Sequence, residues 1–202
     1  MRLISVCGDT LFKSSYITIK ESVEEAVSEG ASLHNINLRG AKLSGARLDM
    51  AKMNHACLWG ADLTGADMSD GLFKGADFRT AILKDTCLAD SDCGGANFHG
   101  AYFSRTILNG THLSQSKFSC PSLFSCDLSH VQTLRGAVFC HQGEIDCPMD
   151  HPPIVIHGLH QPIVIMGHDL LIGTQRLSKD CFGVAQKTII HEITKSLCNH
   201  KV

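Results

Sequence analysis

The sequence predicts a mainly β solenoid carrying an N-terminal α/β cap and a small C-terminal α/β module. Three observations predict it: a five-residue period through the middle, a capped amphipathic helix before it, and short β-branched runs after it. From Leu33 to Leu128 every fifth residue is Leu, Phe, Met or, once, Cys93. Two residues before each stands a small side chain, as in Ala41 with Leu43, Ala61 with Leu63 and Ala76 with Phe78. Ile36 and Pro121 are exceptions, and Ser, Thr, Gly or Cys126 replace Ala elsewhere. The register holds for twenty pentads, shifts by one inserted residue near Val131, and ends with Leu134 and Phe139. A five-residue period fits neither the 3.6-residue stripe of a helix nor the alternation of a strand. It requires a backbone that turns two of every five side chains inward, the small one leaving room for the large one.

The repeated motif is Ala-(Asp/Asn)-Leu-x-Gly, written here as Ala61-Asp62-Leu63-Thr64-Gly65 and Ala96-Asn97-Phe98-His99-Gly100. It resembles the pentapeptide-repeat family over residues 31–141. The resemblance implies a right-handed quadrilateral β-helix with one pentad on each side and four to a coil. Stacked coils then pair their backbones like parallel strands about 4.8 Å apart, giving a rod roughly 26 Å long. Residues twenty apart stack, so Leu38, Leu58, Phe78, Phe98 and Phe118, followed by Phe139, form a ladder inside one side. Each buried Leu or Phe contributes about 1.5–3 kcal/mol toward offsetting the ordering of the chain.

Residues 1–30 read as the cap on the exposed first coil. Segments 3–7 and 10–17 form a hairpin turning at Gly8-Asp9. Thr18 and Glu21 make a capping box, Ile19, Val23, Ala26 and Val27 an apolar stripe, and Gly30 the stop. Residues 142–202 read as an α/β extension. Its strands fall at 152–156, 162–165 and 170–172, and its helix runs over 179–197 with Ser178 as N-cap. This tail resembles the extensions of phage-borne pentapeptide-repeat proteins, with Ile172-Gly173-Thr174 standing where those carry an Ile-Gly-Cys-type segment.

Composition excludes several classes. The 44% apolar and 19% charged residues are those of a globular protein, and a net charge of −2 argues against a strongly basic nucleic-acid binder. No run reaches the length of a membrane span, and the N-terminus carries no secretory pattern. The expected compartment is the cytoplasm. Its ten cysteines are then reduced thiols and the Asn109-Gly110-Thr111 sequon accidental.

No catalytic constellation stands out. There is no P-loop, GxGxxG or GxSxG, and His191-Glu192 lacks the second histidine of HExxH because Lys195 occupies it. Cys140, His141, Cys147 and His151 are the ligand types of a tetrahedral zinc site, but their spacing is not that of a zinc module. The reading is scattered cysteines and exposed histidines, so no metal, no cofactor and no enzymatic activity are assigned.

Function therefore falls to the outer faces. The family's best-known theme, implied by resemblance alone, is mimicry of duplex DNA toward type II topoisomerases, which needs dense carboxylates. Residues 31–140 hold ten Lys or Arg against nine Asp or Glu. One side is acidic, carrying Asp49, Asp67, Asp70, Asp90 and Asp127 against Arg47, and Asp also suits a tight coil turn. The Phe-lined side is mixed, with Arg39, Arg79 and Lys117 against Asp77. Trp59, Leu72, Ile82, Tyr102, Ile107 and Phe124 fall at outward positions, where a contiguous apolar group marks a docking surface or a site covered by the tail. Trp59, Ile82, Tyr102, Ile107 and Phe124 are the partner-binding candidates. The expected function is non-enzymatic binding of a protein partner, as a phage-type product acting on a host protein. Alternatives are a DNA mimic that inhibits or protects a type II topoisomerase or another DNA-binding protein, and a metal-dependent activity of the C-terminal module. No direct nucleic-acid or membrane binding is expected, and the rod's capped end suits homodimerisation.

Overall fold

The computed structural model describes residues 1–119, 121–141, 145–156, 163–166, 169–172 and 175–177. Its repeating unit is a turn. Every fifth residue from Gly30 to Gln115 has a φ between 52° and 68°, so each pentad ends in a left-handed corner. Glycine fills half of these corners, and the other half include Met50, Arg105 and the β-branched Thr80. Asp or Asn three residues before the corner steadies it: the carboxylate of Asp62 accepts from the Thr64 amide at 3.0 Å, and Asp92 from Gly94 at 2.9 Å. These are Asx turns, which explains the Asp/Asn preference at the second motif position.

Four pentads complete one coil. Bridges twenty residues apart run in four columns, through 32–52–72–92–112, 37–57–77–97, 42–62–82 and 47–67–87–107. Where the pairing is longest it forms strands β3 (Ile82–Lys84), β4 (Asn97–Phe98), β5 (Tyr102–Ser104), β6 (Lys117–Phe118) and β7 (Val138–His141). β3 pairs in parallel with β5, and β6 lies parallel between β4 and β7. The interval lengthens to 21 at His112↔Thr133 and at Phe118↔Phe139, which places the inserted residue between Leu128 and Thr133.

Inside, the large residues are fully buried. Phe78, Phe98 and Phe118 stack nearly parallel, with centroids 4.8 and 5.1 Å apart. Polar residues in the small position are satisfied. The Thr86, Thr106, Thr111 and Ser116 hydroxyls donate to the carbonyls of Leu63, Leu83, Leu88 and Cys93, at 2.6–2.8 Å. Cys93 occupies a large position, and burial pushes its thiol up to about 12.

Thr80 is a β-branched residue held in a left-handed corner. It is exposed at φ 53°, between Gly60 and Gly100 in the adjoining coils. The left-handed conformation costs about 1–2 kcal/mol with a Cβ present, against roughly 0.5–1 kcal/mol of extra unfolded-chain entropy for glycine. Thr80→Gly is expected to raise the melting temperature by about 2 °C in a thermal scan.

Both rod ends are covered. At the start, β1 (Arg2–Ile4) and β2 (Thr10–Lys13) form an antiparallel hairpin. The Val6 amide donates to the Asn35 carbonyl and the Asn37 amide to that of Ile4, so the hairpin lines the first coil. Helix α1 (Ile19–Ser28) follows, and its Val23 and Ala26 join the rod's core. Thr18 caps it, accepting from the Glu21 amide, while the Glu21 carboxylate reaches back to the Thr18 hydroxyl at 2.6 Å. The Ala31 amide donates to Ala26 and that of Gly30 to Val27, a Schellman stop.

At the other end β8 (Ile145–Pro148) pairs antiparallel with β7 and covers its free edge, a strand the sequence did not suggest. Strands β9 (Ile154–Ile156), β10 (Ile163–Met166), β11 (Asp169–Ile172) and β12 (Gln175–Leu177) then form an antiparallel sheet in the order 12-11-10-9. Val164, Met166 and Leu171 on one face join the rod's core. Ile163, Leu170 and Ile172 form a second cluster. The helix expected over 179–197 lies outside the described residues, as do Gly173 and Thr174 of the phage-type comparison.

One expectation is corrected. Phe124 does not point outward: it is 8% exposed, with its ring 4.8 Å from that of Phe139. Pro121–Ser125 is a 3-10 helix, whose rotation per residue differs from that of the pentad turn and carries Phe124 over the rod's end.

Candidate functional site

Each pentad presents three outward positions, the second, fourth and fifth of the motif, and these stack into columns along the rod. The fourth position on the Phe-lined side holds Arg39, Trp59, Arg79 and His99 at twenty-residue intervals. The structure brings the first three together. The Arg39 and Arg79 guanidinium carbons lie 4.0 and 4.5 Å from the Trp59 ring centroid, so the half-buried indole is clamped between two cations. Asp77, two residues earlier in the same pentad, holds Arg79 in a bidentate pair at 2.8 and 2.7 Å. That pairing lowers the Asp77 pKa and raises that of Arg79, hydrogen bonding being the largest cause of each. The sequence named these residues singly; their common column, spaced at twenty, is the signal that joins them.

Three residues beyond Arg79 and His99, round the corner of the coil, stand Ile82 and Tyr102. They are register partners in β3 and β5, and are 41% and 51% exposed. The clamped Trp59 and this apolar pair therefore share one edge of the rod. Ile107 is 49% exposed but lies on the following side, in register with Cys87. Between that side and the edge stands the Arg105–Asp85 pair, which lowers the Asp85 pKa through the Arg105 hydrogen bonds. Leu72 is exposed on the side preceding the phenylalanines. Ile107 and Leu72 thus stand apart from the edge.

The five aspartates of the acidic side are all exposed. Two of them are engaged in turns: Asp67 accepts from the Ser69 amide at 3.1 Å, and Asp127 from that of Ser129 at 2.9 Å. The Ser129 side chain, then its amide, lowers the Asp127 pKa. Asp70 and Asp90 sit at left-handed corners. Arg47 leans to Glu24 of α1 at 3.9 Å. Near the C-terminal end Cys140 is half-buried, Cys147 buried and His151 exposed, and no group of three potential metal ligands is assembled among the described residues. No described helix is long and apolar enough to cross a membrane.

The chain is similar to the pentapeptide repeat protein Rfr23 of the cyanobacterium Cyanothece 51142, at 25% identity over 42% of this chain and 58% of that one, with a TM-score of 0.40. It is similar to a pentapeptide repeat protein of the Arabidopsis thaliana thylakoid lumen at 21% identity, covering 50% and 59% of the two chains with a TM-score of 0.34. A pentapeptide repeat protein of Nostoc Pcc 7120 matches at 20% identity, over 63% and 99%, with a TM-score of 0.36. The chain thus spans under two thirds of the first two relatives. No curated protein sequence matches it. The family model for pentapeptide repeats matches in eight copies over residues 31–70, 60–92 and 96–132, and the chain belongs to the pentapeptide-repeat family.

Proposed function

We propose that this chain is a non-enzymatic binding rod that docks a protein partner along the edge between its Phe-lined side and the next. The observation that carries the reading is the Arg39–Trp59–Arg79 stack beside the exposed Ile82–Tyr102 pair. Tryptophan, tyrosine and arginine are the residues that most often dominate binding energy. Here the indole is already held in place, so little side-chain freedom remains to be lost on association. The coil beneath is rigid, with its large residues buried and its backbone paired at every turn.

Duplex mimicry receives less support. Five carboxylates along a rod of roughly 26 Å are sparse beside a duplex with one charge per about 1.7 Å, and two of the five serve turns. The test is capture from the native host with tagged protein, comparing wild type with Ile82→Lys/Tyr102→Lys. A partner held by the wild type is expected to be lost from the variant, with an unchanged circular dichroism spectrum. Equal capture by both would overturn the docking edge. Added to a gyrase supercoiling reaction, micromolar protein is expected to leave the rate unchanged.

A further inference from the structure

We infer that the segment this edge accepts is an acidic stretch of polypeptide with interspersed apolar side chains. The inference rests on the docking reading above and adds the partner's chemistry, which the distribution of charge around the coil supplies. The Phe-lined side presents Arg39, Arg79 and Lys117 against Asp77, and the next side Lys42, Lys84 and Arg105 against Asp62 and Asp85. Two pentads round from the Phe-lined side the sign reverses, with five aspartates against Arg47. A nearly neutral rod is therefore polarised across its width.

The cations on these two sides divide by partner. Arg79 is paired with Asp77 and Arg105 with Asp85, while the Asp62 carboxylate accepts from the Thr64 amide. Arg39, Lys42, Lys84 and Lys117 make no ion pair within 4 Å among the described residues, Arg39 acting on Asp77 and Lys84 on Asp85 only at longer range. Arg39 closes one end of the tryptophan stack. Lys117 lines a shallow groove of about 320 Å³ with Arg79, Asn97, His99, Val138 and Cys140. Ile82 and Tyr102 stand on the adjoining side. The surface so defined has unpaired cations at both ends and an apolar step beside it, the complement of carboxylates flanking apolar side chains.

Nucleic acid fits less well. Four unpaired cations spread over several coils do not match a phosphate at every few ångströms, and the opposite side repels phosphates. Single strands bind by stacking bases on aromatic faces, and both faces of Trp59 are already occupied by guanidinium groups.

Trp59 is the chain's only tryptophan and so reports on its own site. The experiment titrates the full chain with a random copolymer of Glu and Tyr, with poly-lysine and with oligo-dT, exciting tryptophan selectively. The copolymer is expected to change Trp59 emission saturably, and its affinity to fall about tenfold between low and physiological salt. Lys117→Glu and Lys42→Glu are each expected to weaken it about tenfold, whereas Arg47→Glu leaves it unchanged. Absence of a response to the copolymer, or an equal response to poly-lysine or oligo-dT, overturns the inference. Self-association in low salt that Lys117→Glu abolishes would also overturn it, assigning the surface to the acidic side of a second copy. Host capture separates the two readings: a partner lost from Ile82→Lys/Tyr102→Lys but retained by Lys42→Glu/Lys117→Glu leaves docking standing and removes the acidic class.

Discussion

Phe98→Ala is expected to lower the unfolding free energy by about 3–5 kcal/mol, the cost of emptying a fully buried aromatic site. Phe98 is the central ring of the ladder, stacked 4.8 Å from Phe78 and 5.1 Å from Phe118 and tilted against Phe103 at 5.7 Å. Its removal therefore strips one face from each of two parallel neighbours, and aromatic pairs contribute about 0.5–1.5 kcal/mol beyond the area they bury. The backbone around the void is held by coil-to-coil hydrogen bonds on both sides, among them Asn97 amide to Ala76 carbonyl and Lys117 amide to Ala96 carbonyl. Collapse into the void is resisted, which keeps the cost at the high end. Phe98→Leu retains most of the volume and is expected to lose less than about 1.5 kcal/mol. Urea unfolding followed by circular dichroism measures both. A loss below about 1 kcal/mol for Phe98→Ala would mean that the coils close over the gap and that the ladder is not a principal source of stability.

Much of this architecture is legible in the sequence because one physical rule is repeated. The five-residue period gives the inward pair, the interval of twenty gives the ladder, and the extra residue before Thr133 is visible as a register shift between Leu128 and Leu134. The cap is legible for a different reason, since Thr18, Glu21 and Gly30 are local signals that need no tertiary context. What escapes is wherever a neighbouring coil decides. Phe124 follows the pentad register on paper, but Pro121 starts a 3-10 turn and the ring finds Phe139 instead of solvent. β8 has no period of its own and exists because the last coil leaves an edge to pair. The Arg39–Trp59–Arg79 stack is written at constant spacing, yet mutual contact follows only once the coil length is known. The aspartates are ambiguous from sequence alone, because one residue type serves both as a turn cap and as surface charge. Geometry divides them, giving Asp67 and Asp127 to turns and leaving Asp49 at a fourth position.

Gly71→Ala is the second large effect, and it separates the repeat's average rule from its local packing. Alanine is the commonest occupant of the small inward position, so by sequence pattern the substitution restores the consensus. By geometry it overfills the rod. A Cβ at position 71 would lie 2.3 Å from Cε2 and 2.8 Å from Cζ of Phe73, and 3.0 Å from the Met68 carbonyl oxygen. The Phe73 ring is fully buried and packs edge-on against Phe78 at 6.0 Å, so it cannot swing aside without disturbing the ladder. Phe78 and Phe98 stand beside Ala76 and Ala96 with their rings stacked in parallel at 4.8 Å. In the next coil the corresponding large position is Cys93, so the bulk of Phe73 is matched by a small side chain above it and by Gly71 beside it. Overpacking of this kind costs about 1–3 kcal/mol, and Gly71→Ala is expected to destabilise by that amount. The decisive measurement is a double-mutant cycle with Phe73→Leu, which removes the ring atoms nearest the added methyl. The two changes together are expected to cost at least 1 kcal/mol less than the sum of the single losses, a coupling of the size found between residues in direct contact. Additive losses would show that the added methyl is accommodated without the Phe73 ring, and that the ring does not set the requirement for glycine at 71.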